Sequence, residues 1–172
     1  DPNDLFLVGE SGGFLMDIEV GDKFVNTHLL HEMADFYNAN GKYTFYKEDS
    51  IPHRQLRKRE EYRRSHGYEA PCFMRNGEVR QLHISGDMYN YLNYIRIEQL
   101  DEKTIIHTDR GSVAKKKQDF PKFIDAQFWT FAIIEFVELN GLHLLIDNTR
   151  RGGFSYIMAS HSANKINLQP NK

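Results

Sequence analysis

Cysteine is all but missing from this 172-residue chain. A lone Cys72 excludes an internal disulfide and a cysteine-based metal cluster, which points to a reducing setting, and the residue itself reads as a small, half-buried apolar side chain. An excess of either charge is missing too. Lys and Arg number 22 against 24 Asp and Glu, a formal net charge of −2, so any attraction for nucleic acid or a membrane must be local. The most apolar stretch, residues 123–139, is interrupted by Asp125, Glu135 and Glu138, charges that are costly in a bilayer, and it reads as a core helix. No N-terminal segment joins a basic start to an apolar stretch and a small-residue cleavage site, so secretion is not indicated. Internal repeats are absent. His83, His107, His143 and His161 lack the close spacing of a preformed metal site and read as structural.

What is present begins with a Gly12-Gly13 segment that suggests an irregular arm or a short strand. From Thr27, a plausible N-cap by residue type, Leu29, Leu30, Met33, Phe36 and Tyr37 recur at helical spacing until Asn40-Gly41 stops them. Ser50 then caps a second helix with Pro52 in its first turn. Arg54, Arg57, Lys58, Arg59, Arg63 and Arg64 decorate it, with Glu60 and Glu61 in reach. This array reads as a solvated face with paired charges in preference to a phosphate-backbone contact.

Residues 81–94 read as an apolar piece, a Gly86 turn and a short aromatic helix from about Asp87, with Tyr89, Tyr91 and Tyr94 packing instead of stacking on bases. Residues 94–98 and 104–108 are β-rich and flank Asp101-Glu102-Lys103, a hairpin pattern. Residues 111–118, with Lys115-Lys116-Lys117, read as a flexible basic loop.

Pro121 opens a long helix that Gly141 ends near Asn140. Residues 142–146 form a short apolar run that predicts a buried strand. Asn148-Thr149-Arg150-Arg151-Gly152-Gly153-Phe154-Ser155 follows as a polar glycine loop, and a helical pattern resumes from Tyr156 to Asn167. Strand, glycine loop and helix, in that order, suit phosphate, because loop amides and a helix N-terminus offer unpaired donors and a favourable dipole. Against the eight-residue P-loop pattern Gly153 takes the sixth place and Ser155 the eighth, where the hydroxyl holds magnesium. Asn148 stands where the first glycine belongs, and Phe154 replaces the lysine. Arg150 or Arg151 can supply the missing cation by bidentate contact with phosphate oxygens. The other reading is an ordinary strand–turn–helix in which Ser155 is an N-cap and both arginines are solvated.

Thr149-Arg150-Arg151-Gly152-Gly153-Phe154-Ser155-Tyr156 resembles the deviant Walker A segment of the large terminase subunits of tailed bacteriophages, particularly a group of large-genome phages. Upstream, His83-Ile84-Ser85-Gly86-Asp87-Met88-Tyr89-Asn90-Tyr91-Leu92-Asn93-Tyr94 and Phe120-Pro121-Lys122-Phe123-Ile124-Asp125 are similar to segments that precede the ATPase region in that group. The resemblance spans about residues 80 to 165, and Asp147-Asn148 departs from it, where a basic or small residue is more typical.

With the patterns above, the resemblance gives an expected α/β fold: an α-rich N-terminal lead-in with a small β-hairpin over residues 1–118, none of whose first fifty residues rests on the resemblance, then, over 119–172, the first strand, P-loop and helix of an incomplete P-loop NTPase parallel sheet. It implies a motor that binds ATP and Mg2+ and translocates double-stranded viral DNA into the procapsid. Its partners would be the portal protein and the small terminase subunit, with a homo-oligomeric ring in the full-length protein, no membrane, and the cytoplasm of the infected bacterial host as location. Arg150 or Arg151 would act on the γ-phosphate; Thr149, Gly152, Gly153, Ser155 and Tyr156 would form the nucleotide loop, with Ser155 at the metal. Gln127 would take the adenine-reading place ahead of the loop, although its setting reads first as a helix surface. Walker B acids, the coupling motif and the nuclease carboxylates do not follow Ser155 within this sequence. The expectation is therefore nucleotide binding without efficient hydrolysis, since positioning of metal and water is most of phosphoryl-transfer catalysis. The second function read from the sequence is a non-catalytic module that contacts nucleic acid or a phage protein through the basic helix 54–64.

Overall fold

A computed structural model describes residues 7–8, 14–15, 25–108, 111–146 and 153–168. The helix expected from Thr27 starts as a 3-10 turn, Thr27–His31, and becomes α-helical only over Glu32–Asn40 (α1). Thr27 does not cap it. Asn26 holds the position before the turn, and its side chain is drawn away to the Pro71 carbonyl and the Phe73 amide at 2.7 and 2.6 Å. The amides of Met33 and Ala34 are met from outside the segment by the buried Asn93 carbonyl oxygen, at 3.0 and 3.2 Å. Gly41 ends α1 at φ 69°, the left-handed conformation that glycine adopts without a Cβ penalty.

The second helix, Ile51–His66 (α2), begins as its sequence predicts. Extended Ser50 accepts a hydrogen bond from the His53 amide at 3.3 Å, and Pro52 occupies the first turn, where a missing N–H costs nothing. Three antiparallel hairpins account for the strands among the described residues. They are Leu7–Val8 (β1) with Phe14–Leu15 (β2), Tyr68–Phe73 (β3) with Val79–Ile84 (β4), and Ile97–Thr108 (β5) with Gly111–Asp119 (β6).

Two expectations are corrected here. In place of the hairpin expected from 94–98 and 104–108, a single strand, β5, runs from Ile97 to Thr108 with a register shift between Asp101 and Ile105, so Asp101-Glu102-Lys103 is not a turn. The basic stretch 111–118 is its partner β6 and not a loop. Lys116 faces Leu100 in the ladder and bonds Glu98 at 2.8 Å, so opposite charges hold an exposed ribbon together.

Gly86–Tyr94 (α3) is the axis of the fold. Every residue from Gly86 to Asn93 is buried, as befits a helix surrounded on all sides. Met88, Tyr89, Tyr91 and Leu92 join Leu30, Met33, Ala70, Cys72 and Ile84 in one core with Phe128, Phe131, Ile134 and Ile157. Those last four come from Asp125–Leu139 (α4) and Phe154–Leu168 (α5). Cys72 is fully buried here, more deeply than expected. The polar residues of α3 are also satisfied: Asn90 donates to Ser160 at 3.1 Å, and Asn93 donates to the Leu30 carbonyl at 2.9 Å. A buried amide without such partners would cost about 1–3 kcal/mol.

The helix expected from Pro121 begins four residues later, at Asp125, because residues 121–124 carry no regular structure and Ile124, just before the helix, is extended. Residues 142–146 are not a buried strand. They lie outside any ladder, with Leu142 and Leu145 exposed at 55 % and 96 %. A strand needs a neighbour, and the hairpins among the described residues do not provide one. The fold is thus mixed α and β with small antiparallel hairpins, and no parallel sheet forms among the described residues. No helix of the described residues is long and apolar enough to cross a membrane.

Candidate functional site

Of the loop singled out by sequence, Asn148, Thr149, Arg150, Arg151 and Gly152 lie outside the described residues. Its last part is described. Gly153 takes φ 69°, and its carbonyl accepts from the Tyr156 amide at 3.0 Å, which starts α5. Ser155 and Tyr156 are both exposed on the first turn. The opening amides of a helix have no intrahelical acceptor and carry the positive end of its dipole, so this turn presents donors and a hydroxyl to solvent.

Gln127 corrects an expectation. It is not on the helix surface but buried at 8 % exposure, in the first turn of α4. There it abuts the end of the loop: a Cβ built on Gly153 would stand 3.6 Å from Gln127 Nε2. The same Nε2 donates to the hydroxyl of Tyr91 on α3 at 3.3 Å, while Gln127 Oε1 is buried with no hydrogen-bond partner. An orphaned buried carbonyl oxygen is unfavourable unless something else donates to it. Burial pushes the Tyr91 phenol above its ordinary pKa, outweighing the stabilising effect of the Gln127 bond on its anion, so its hydroxyl stays neutral. Sequence reasoning identified Gln127 but not Tyr91, which was read only as packing. The helical register would have offered little help, because the contact joins residues 36 apart.

Farther along α5 lies a second polar cluster. His161 Nδ1 bonds Asp87 Oδ2 at 2.6 Å, and its Nε2 is 3.4 Å from Glu138. The hydrogen bond to Asp87 raises the His161 pKa in spite of burial, with Glu138 adding to it. Asp87, Glu138 and His161 have ligand atoms within 4.8 Å of one another. Lys165 already supplies a cation there, at 2.7 Å from Glu138, so the cluster, buried at Asp87 and open at Glu138, reads as an ion-pair clamp between α3, α4 and α5. His83 likewise sits between Glu69 and Glu135, at 2.8 and 3.0 Å. Those bonds raise its pKa although burial opposes the charge. His143 is exposed.

The basic helix α2 turns much of its charge inward. Arg59 and Arg63 clasp Glu32 at 3.1 and 3.0 Å, and the guanidinium of Arg64 lies 4.9 Å from the centre of the Tyr94 ring. Arg57 pairs with Glu61 at 2.7 Å, one turn apart. This is the paired face that the spacing predicts, and Arg54, Arg57, Lys58 and Arg59 remain exposed on it. Comparison of the chain with family models, with curated proteins and with solved structures gives no match.

Proposed function

We propose that this chain is the nucleotide-gripping front part of an ATP-driven DNA-packaging motor of the large-terminase kind. The observation that carries the reading is the nearness of Gln127 to Gly153: a Cβ built on this last glycine of the loop would stand 3.6 Å from the amide nitrogen of Gln127. A carboxamide can read a purine base. Adenine offers an amine donor and a ring acceptor, the pair that a carboxamide matches, and Gln127 Oε1 is an acceptor that lacks a donor.

ATP and its magnesium fit the residues present in three respects. Gln127 would meet the base, the first turn of α5 would offer backbone donors to phosphate, and the exposed Ser155 hydroxyl would reach the metal. Arg150 or Arg151 would neutralise the γ-phosphate, with Thr149 and Gly152 completing the cradle. When bound, ATP supplies the free energy of phosphoryl transfer that drives translocation of double-stranded DNA. The chain's own residues bind and orient it. The P-loop parallel sheet belongs to this reading as well: residues 142–146 lie outside any ladder and expose Leu142 and Leu145, apolar side chains that a neighbouring strand would cover. So do the ring, the portal and small-subunit contacts, the nuclease domain and the host cytoplasm.

Binding of a fluorescent ATP analogue in the presence of magnesium tests it. Gln127→Ala, Arg150→Ala, Arg151→Ala and Ser155→Ala are each expected to weaken binding by about tenfold or more, the loss of one charge-assisted or base-reading contact. Tight binding untouched by all four substitutions would defeat the loop assignment.

A further inference from the structure

We propose that Asp87, Glu138 and His161 form a site for one divalent cation of the zinc kind, held by His161 Nε2 and Glu138 with Asp87 behind the imidazole, and that Lys165 keeps the place of this cation until the ion displaces it. The inference does not depend on the nucleotide-binding reading, and the site is separate from the magnesium expected at Ser155. Three helices supply it. Asp87 comes from the first turn of α3, Glu138 from the last turn of α4, and His161 and Lys165 from one face of α5. One ligand-type atom from each of Asp87, Glu138 and His161 lies within 4.8 Å of the others.

The imidazole is oriented for a metal. Asp87 Oδ2 is 2.6 Å from His161 Nδ1, and a carboxylate can only accept, so the neutral ring carries its proton on Nδ1 and a lone pair on Nε2. A carboxylate behind a histidine in this way fixes the tautomer and raises the basicity of a metal ligand. Glu138 Oε1 is 3.4 Å from Nε2, longer than the usual hydrogen bond. Two ligands that each lie about 2.0–2.1 Å from a tetrahedral zinc are themselves about 3.4 Å apart. The other Glu138 oxygen is 2.7 Å from Lys165 Nζ, which is 3.9 Å from Asp87 Oδ2, so a positive charge already stands by both carboxylates. Lys165 is partly exposed, and its long stem can withdraw the ammonium to water.

Asp87, Glu135, Glu138, Asn164 and Lys165 line a cavity of about 60 Å³, which has room for water around an ion. Asn164 gives an independent sign. It is buried, and its Nδ2 donates to the Arg64 carbonyl and to Asp87 Oδ1, both at 2.7 Å. Two acceptors at that end fix it as the nitrogen, so the end left over is Oδ1, which is buried with no hydrogen-bond partner. An orphaned acceptor in the wall of a carboxylate-lined cavity calls for a donor or a cation. A ring nitrogen beside carboxylate oxygens suits zinc, whereas magnesium takes oxygen ligands and keeps its waters.

The test is Zn2+ affinity of the whole chain at pH 8, measured by competition with a chromophoric chelator. Wild type is expected to bind Zn2+ at least about tenfold more tightly than Mg2+. Lys165→Met removes the competing ammonium and is expected to tighten Zn2+ about tenfold, whereas in a purely structural clamp it would only lower stability. Glu138→Gln and His161→Gln each remove a ligand and are expected to weaken Zn2+ by about tenfold or more. The ion and a proton compete for Nε2, so affinity should also fall from pH 8 to pH 6. The raised pKa of His161, which the Asp87 bond produces against burial, acts in the same direction. An affinity unchanged in Lys165→Met or in Glu138→Gln would overturn the inference. Glu138 is exposed, so that variant decides the matter even if His161→Gln does not fold. Absence of Zn2+ binding in wild type and Lys165→Met alike would overturn it too, as would tighter binding of Mg2+ than of Zn2+.

Discussion

His161 on α5 donates through Nδ1 to Asp87 on α3 at 2.6 Å, and this bond crosses 74 residues of sequence to fasten the helix that follows the loop onto the central helix. Glu138 and Lys165 complete the surroundings of the imidazole. The bond to Asp87 raises the His161 pKa above 6.5 against the effect of burial. A raised folded-state pKa contributes stability that is fully present below the unfolded value of 6.5 and is lost as pH rises through the folded value. His83, also raised, adds a contribution of the same sign. Thermal melting followed from pH 6 to pH 9 should therefore show a falling Tm. His161→Gln should flatten the slope and, at pH 6, cost about 1.5–3 kcal/mol, the range for a hydrogen bond to a charged group. A slope that is identical in His161→Gln and wild type would show that the pair does not fasten α5.

Glu60 is buried at 7 % exposure although it stands in the most basic stretch of the chain. Its Oε2 accepts from the hydroxyls of Tyr89 and Tyr94 at 2.6 and 2.8 Å, and its other oxygen from Arg59 at 2.9 Å. Burial, and then the Glu60 charge, push both phenols above their ordinary pKa, so they remain donors throughout the accessible pH range. Glu60→Leu strands two buried hydroxyls and is expected to cost about 3–5 kcal/mol, as for other broken buried charge networks. Tyr94→Phe leaves the acid one remaining phenol and should cost about 1 kcal/mol. Urea unfolding monitored by circular dichroism would rank the two variants, and an equal cost for both would refute the shared-acceptor arrangement.

The helix ends were legible in sequence because they are local events. Ser50 with Pro52 and the stop at Gly41 are settled by a few neighbouring residues. The strands were harder to read, and β3 with β4 was missed altogether. β3 contains Pro71, which is tolerated because a two-stranded sheet leaves an edge where its absent N–H breaks no ladder bond. β6 carries three consecutive lysines, a composition typical of loops, and forms only because residues such as Glu98 face it from β5. At the candidate site, the resemblance to terminase segments pointed to Gln127, whereas its helical setting read as surface. Its burial, and its partner Tyr91, depend on how α3, α4 and the start of α5 come together, and no local pattern encodes that.

Gly86 opens α3 beneath α2 with no room for a side chain. A Cβ there would collide with the carbonyl of Arg64, a backbone atom that cannot step aside without moving α2. The residue is buried at the start of the helix that forms the core, directly after Ser85, whose side chain accepts from the Met88 amide at 3.2 Å. Gly86→Ala should therefore cost more than overpacking of an adaptable side-chain core, about 3 kcal/mol or above. Gly77→Ala is the comparison. It has φ 87° but nothing within 4 Å of a new Cβ, so it should cost only about 1–2 kcal/mol of backbone strain. Chemical denaturation of the two variants would separate crowding from strain, and a larger loss at Gly77 would contradict the packing of α2 on α3.

Phe131 and Leu145 are large apolar residues 14 positions apart, and they should respond in opposite ways. Phe131 is 1 % exposed in the core of α4 and packs against Tyr91, while Leu145 is 96 % exposed beyond the helix end. Phe131→Ala removes a ring from a close-packed interior and should cost about 3–5 kcal/mol, cavity included. Leu145→Lys removes apolar surface that is already in water, so the stability of the chain should change by less than about 0.5 kcal/mol. Its effect should appear instead in association. Leu142, Leu144 and Leu145 form an exposed apolar run outside any ladder, a template for pairing with another chain, and a lysine blunts such an edge. Light scattering against protein concentration should show less self-association for Leu145→Lys than for wild type. A loss of stability comparable to that of Phe131→Ala would mean that residues 142–146 are packed against the domain, contrary to their exposure here.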